Sequence, residues 1–132
     1  MLQILDISAS GLSAERTRLS TIAQNLANAH TTRDAYGRPA PYCRKEVVFC
    51  ADRDERGNPG VRVLDVREDQ RPFRIEHDPL HPDAVAGYVR YPNVNAIEEM
   101  VDMIMASRAY EANATAMEVT KNMAASALRI LA

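Results

Sequence analysis

Leucine recurs every seven residues at the start of the chain, at Leu5, Leu12, Leu19 and Leu26. Leu2, Ala9 and Ala23 stand three positions before three of these, so the spacing predicts a helix over residues 3–30 with an a/d seam of almost four heptads. Arg16 interrupts the second set of positions, and Gly11 costs about 1 kcal/mol of helix propensity, so the seam is less regular than a dedicated zipper. At roughly 42 Å the helix is long for so small a chain, and it is expected to project and to fray when alone. Asn28, Thr31 and Thr32 compete for backbone hydrogen bonds, which places the helix end near Asn28 to Thr31. Asn25 and Asn28 have two readings, a polar cap and a register-fixing contact between helices.

The far end repeats the theme. Asn95 followed by Glu98 has the spacing of a capping box, with Glu99 and Asp102 adding negative charge near the helix start. From there no proline or glycine intervenes to Ala132. Heptad steps select Met103, Tyr110, Met117, Ala124 and Leu131, with Ala106, Asn113, Thr120 and Ala127 three residues after the first four. Ile97, Val101 and Ile104 are expected to widen this seam at its beginning. Small residues on several faces suit a helix packed by several neighbours, and Met100, Met103, Met105 and Met117 suit adaptable contacts.

All seven prolines lie between Pro39 and Pro92, which separates two helical arms from a middle of different character. There the apolar pattern shortens into β-prone runs, Lys45–Cys50 and Val61–Val66. The charged stretch from Asp52 to Gly60 joins them, predicting a hairpin with a mobile tip. A further strand around Phe73–Ile75 would complete a module of about three strands.

Acidic and basic residues balance, 18 against 16, and no basic stripe emerges, so nucleic acid is not an expected partner. No window approaches the length of a membrane span, and Met1 to Asp6 lacks the pattern of a cleavable signal. Within a strand over residues 42–51, Cys43 and Cys50 would point to opposite faces and form no mutual disulfide, and both are expected to be small buried hydrophobes. His77, Asp78, His81 and Asp83 are ligand-type side chains, but Pro79 and Pro82 forbid the helix that would align the histidines, so a structured loop is expected. No catalytic constellation, metal site or cofactor-binding motif is read from the chain.

Particular words then become recognisable: Ser8-Ala9-Ser10-Gly11-Leu12-Ser13-Ala14-Glu15-Arg16, Asn25-Leu26-Ala27-Asn28, Gly87-Tyr88-Val89-Arg90-Tyr91-Pro92-Asn93-Val94-Asn95 and Ser107-Arg108-Ala109-Tyr110-Glu111-Ala112-Asn113. Together they resemble, essentially end to end, the FlgC family of bacterial flagellar basal-body proximal rod proteins. The resemblance implies export of the unfolded chain through the flagellar type III apparatus without a cleaved signal, then helical polymerisation across the periplasm. Copies of the chain and neighbouring rod and basal-body proteins would be its partners, and the assembled rod would transmit torque in motility. Cys43 departs from the polar residue that relatives tend to carry there.

The expected fold is mainly α with a small β insertion. Two long terminal helices, residues 1–32 and 93–132, form an α-helical hairpin or coiled-coil domain, and residues 33–92 form the β-rich insertion. The expected assembly interface comprises Leu5, Leu12, Leu19, Asn25, Leu26, Asn28, Met100, Met103, Tyr110, Asn113, Met117, Ala124 and Leu131. Two rivals are a soluble coiled-coil adaptor closing as a dimer and a metal-dependent enzyme using the histidine loop; neither accounts for the family words at both ends.

Overall fold

The computed structural model describes residues 2–53 and 57–131, with the side chains of Leu2 and Leu131 outside the description. Asp54, Glu55 and Arg56 of the expected mobile tip likewise lie outside the described residues. Helix α1 runs Leu2–Ala27 and helix α2 runs Ala96–Leu131. Between them come β1 (Lys45–Arg53), β2 (Pro59–Glu68), β3 (Arg74–His77) and β4 (Tyr88–Tyr91). The chain is therefore mainly α with a β insertion.

Both inner helix ends follow local chemistry. Helix α1 stops one residue before the expected range, where the Asn28 side-chain amide donates to the Gln24 carbonyl (2.9 Å) and its oxygen accepts from the Thr31 hydroxyl (3.1 Å). At the start of α2, Asn95 Oδ1 accepts from the Ile97 N–H (3.0 Å), and Asn95 Nδ2 donates to Glu98 Oε1 (3.3 Å). The cap is thus made, with the Glu98 side chain held by the asparagine amide rather than by a backbone N–H.

The helices run antiparallel, since Asn25 of α1 meets Glu99 of α2 while Gly11 meets Asn113. A Cβ on Gly11 would stand 3.0 Å from the Asn113 amide, so the missing side chain lets the backbones approach. On the other side α1 packs against β1 and β2. The arm expected to project is instead held between α2 and a hairpin.

Its seam also differs from the expected one. Ser8, Ile22 and Ala29 are buried and Glu15 is nearly so, each three residues after a seam leucine, whereas Ala9, Arg16 and Ala23 on the other flank are exposed. A seven-residue leucine repeat is compatible with either flank; placing Ile22 inside and Arg16 in water decides between them. On α2, Ala106 and Thr120 are buried, and Met103, Asn113, Met117, Ala124 and Ala127 are half-buried along one row. Ile97, Val101 and Ile104 do not widen that seam: they are 74%, 52% and 56% exposed on the outside of α2.

The β insertion is not one three-stranded module. β1 and β2 form one antiparallel pair, from Lys45 opposite Glu68 to Arg53 opposite Pro59, with a bulge between Val48 and Phe49. β3 and β4 form a second pair, from Arg74 opposite Tyr91 to His77 opposite Tyr88. The expected third strand therefore finds its partner downstream, in a β4 that reads in sequence only as the approach to α2. Isolated two-stranded ribbons are marginal. The first leans on α1, and the second buries Val89 to 1% exposure and carries the Arg90–Phe73 and Arg74–Tyr91 cation–π contacts.

Cys43 lies ahead of β1, so strand alternation does not govern it; both cysteines are free and half-buried rather than buried. The Cys43 thiol donates to the Asp69 carbonyl (3.5 Å), and burial, together with Glu68 and Asp69, pushes its pKa up. In the histidine loop, His77 packs edge-on to Tyr88 and His81 to Tyr91, and His81 Nδ1 accepts from the Asp83 N–H (3.1 Å). Among the described residues no cluster of three or more histidine, cysteine, aspartate or glutamate side chains is placed to hold a metal ion.

Val85 and Tyr88 exchange backbone hydrogen bonds around Ala86 and Gly87, both with positive φ (54° and 82°). This two-residue turn favours asparagine before glycine, because the asparagine side chain can hydrogen-bond locally and offset the left-handed strain that alanine bears without compensation. Ala86→Asn is expected to stabilise the chain by about 0.5 to 1 kcal/mol and to raise the thermal midpoint by a few degrees. A lowered midpoint in a thermal melt would contradict that reading of the turn.

Candidate assembly interface

Where the inner ends of both helices meet the insertion, a polar knot sets their positions. Asn25 is 1% exposed, and its amide acts as a short piece of strand: Nδ2 donates to the Lys45 carbonyl (2.8 Å) and Oδ1 accepts from the Lys45 N–H (2.9 Å). The same amide donates to Glu99 Oε2 (3.0 Å) and accepts from the Tyr42 hydroxyl (3.0 Å). Of the two readings of Asn25 and Asn28, the contact belongs to Asn25 and the cap to Asn28.

Glu99 is fully buried, and its other oxygen accepts from Arg44 Nε. Arg44, 12% exposed at its side chain, also reaches Asp69 (3.2 Å) and Asp102 (3.5 Å). Asn93 completes the knot, accepting from the Arg44 N–H (2.8 Å) and donating to the carbonyls of Asp69 (3.2 Å) and Arg71 (3.0 Å). Burial disfavours the Arg44 charge, but its hydrogen bond and ion pair with Glu99 outweigh that and hold its pKa above the ordinary guanidinium value. Burial likewise works against the Asp69 charge, yet hydrogen bonds from Arg71 and the charges of Arg71 and Arg44 keep its pKa below the usual carboxylate value.

Such a knot adds little net stability, because desolvation consumes most of the Coulomb gain. What it supplies is register. Sliding α1 one heptad along α2 would part Asn25 from Glu99 and leave a buried carboxylate short of a partner, at a cost of several kcal/mol. Sequence reasoning missed this role: Glu99 reads as a charge beside a helix dipole, and Arg44 lies 55 positions away.

The residues expected at the assembly interface separate into groups. Leu5, Leu12, Leu19 and Leu26 are half-buried on α1, as are Met103, Asn113, Met117 and Ala124 on α2. Asn25 and Asn28 are spent inside the protomer. Met100 points outward at 56% exposure and Tyr110 is 38% exposed, while the side chain of Leu131 lies outside the description. Met100 has company that the expected set omits: with Ile97, Val101, Ile104 and Met105 it makes an apolar surface on the first turns of α2. These side chains lie apart from the row of α2 that includes the buried Ala106 and Thr120. Among the described residues no helix is long and apolar enough to cross a membrane.

Both helices match known families. Residues 5–33 match the family described as flagella basal body rod protein, and residues 85–130 match the flagellar basal body rod FlgEFG protein C-terminal family. Over 96% of its length the chain is 40% identical to the flagellar basal-body rod protein FlgC of Borreliella burgdorferi and 42% identical to that of Bacillus subtilis, covering 95% of each relative. The Salmonella typhimurium FlgC is 41% identical, with 93% of this chain and 92% of that relative covered. With both terminal helices and nearly the whole length in agreement, the chain belongs to the FlgC family of flagellar basal-body rod proteins and is a structural subunit of the flagellar rod.

Proposed function

We propose that this subunit polymerises helically through its terminal helices and that the resulting shaft carries torque from the membrane ring toward the hook. Residues 1–32 and 93–132 act as the rod-forming domain, and residues 33–92 as a side insertion. The observation that carries the reading is the apolar face at the start of α2, where five large side chains from Ile97 to Met105 are each more than half exposed. Burying them against neighbours would return roughly 25 cal/mol for every Å² removed from water. The knot at Asn25 and Glu99 keeps the two helices in one register, so each copy presents the same surface. Catalysis has no part in this function.

Its partners are copies of itself and neighbouring basal-body rod proteins, reached after passage through the flagellar export apparatus into the periplasm without cleavage of a leader. Amide hydrogen exchange tests the reading by comparing the purified chain with isolated basal bodies. Slower exchange at residues 97–105 in the basal body supports it; a stable dimer with no higher assembly and no basal-body incorporation would favour a closed adaptor. An intact mass that retains the Met1-Leu2-Gln3 end, with or without the initiator, supports export without cleavage.

A further inference from the structure

Each strand of a two-stranded ribbon has one edge turned away from its partner, and an uncovered edge is a template for a further strand. On three of the four strands of the insertion, backbone groups turned away from the ribbon are in use. The Lys45 N–H and carbonyl of β1 bond to the Asn25 amide (2.9 and 2.8 Å), and the Val61 N–H of β2 donates to Ser10 Oγ (3.1 Å). On β4, Tyr88 exchanges hydrogen bonds with Val85 (2.9 and 3.1 Å).

Strand β3 differs. The Asp78 N–H donates to the Gly87 carbonyl (3.0 Å), which fixes the alternation along the second ribbon. Arg74 and Glu76 therefore bond to Tyr91 and Val89 of β4, while the N–H and carbonyl groups of Ile75 and His77 point the other way. No backbone partner among the described residues takes up those four groups. All four side chains of β3 are exposed, Ile75 to 63%.

The charges of β3 define what fits this edge. Arg74 and Glu76 share one face, 3.2 Å apart. Laid antiparallel against a second copy with Ile75 opposite Ile75, the strand sets Arg74 of each copy opposite Glu76 of the other. The outward groups of the two Ile75 residues then make two hydrogen bonds. The neighbouring registers that use outward groups set Glu76 against Glu76 or Arg74 against Arg74, and like charges directly opposite are unfavourable.

We propose that β3 is a self-complementary docking edge through which two free copies of the chain pair, antiparallel about Ile75, into one four-stranded sheet. The same strand serves on both sides, so the contact is isologous and closes at two copies. It pairs free subunits and does not extend the rod, and it is independent of the helix faces to which rod assembly is assigned.

The test is analytical ultracentrifugation of the purified chain over a concentration series, with Arg74→Glu and Glu76→Arg measured singly and mixed. The unmodified chain is expected to dimerise as concentration rises. Each single reversal sets like charges opposite one another twice and is expected to weaken the dimer about tenfold. An equimolar mixture of the two is expected to restore it, because the two reversed copies are again complementary at both positions. Both variants lose the internal Arg74–Glu76 pair, so an effect on folding alone would not be repaired by mixing. A parent that stays monomeric, a single reversal that dimerises as tightly as the parent, or a mixture no tighter than its components overturns the contact. Ile75→Pro supplies a second measurement, since the Ile75 N–H is not used within the ribbon; loss of two hydrogen bonds between copies is expected to weaken the dimer about 30-fold, and an unchanged dimer overturns the proposal.

Discussion

Replacing Glu99 by alanine is expected to cost about 3 to 5 kcal/mol of folding stability, a large share of the margin of a small domain. The loss comes less from the ion pair itself than from what its removal leaves behind. Arg44 would keep a charge at a 12% exposed site with only Asp69 and the longer contacts to Asp102 and Glu46, and Asn25 would lose an acceptor inside the protein. Glu99→Gln, which retains the shape and a hydrogen-bonding oxygen, should lose less. Denaturant unfolding of Glu99→Ala, Arg44→Met and their double variant measures the coupling. The two losses should be strongly non-additive, the double variant being less damaged than their sum. A Glu99→Ala chain whose stability stays within about 1 kcal/mol of the parent would show that the knot does not hold the helices.

Leu19→Asp is expected to abolish rod assembly and motility while the chain still passes through the export apparatus. Leu19 is half-buried on α1 next to the buried Ile22, and an aspartate there replaces apolar contact with a carboxylate that must be desolvated for the helices to close. The cost is about 2 to 4 kcal/mol. Because the export reading requires an unfolded chain, weakened helix pairing should leave secretion intact. The variant should therefore be found in the culture medium of cells that lack a complete rod, and Leu19→Met should remain close to neutral. A motile strain carrying Leu19→Asp would remove the helix pair from the assembly account.

The sequence is most legible where structure is local. The proline distribution marks out two helical arms, and the Asn95 cap locates the start of α2 because the interacting groups lie within one turn. The first hairpin is legible from Lys45–Cys50 and Val61–Val66, whose β-prone runs pair antiparallel in the structure. Legibility falls once a choice depends on distant partners. Leu5, Leu12, Leu19 and Leu26 leave both flanks of the helix available, and only packing against α2 selects Ser8 and Ile22 over Ala9 and Ala23. Tyr88–Tyr91 carries a short β-prone pattern, but whether it is a strand or a lead-in to α2 depends on Arg74–His77 meeting it from the other side of a loop.

The same division holds for the candidate interface. Ile97, Val101 and Ile104 stand at spacings that fit either face of a helix, and their exposure follows from which side α1 occupies. Asn25 is identifiable in sequence as a residue with two possible roles. Its pairing with Lys45 and Glu99 spans 20 and 74 positions, which no local rule connects.

The amino-acid sequence by itself determined that this chain has two terminal helices, a β-rich insertion and membership of the rod-protein family, because propensity, proline placement and family words are properties of short segments. The tertiary structure alone decided which flank of α1 faces inward, that the insertion holds two ribbons, that Glu99 is a buried anchor, and that α2 carries an apolar face at its start. These depend on the antiparallel register of α1 on α2, and that register is set by desolvated contacts between residues far apart in the chain.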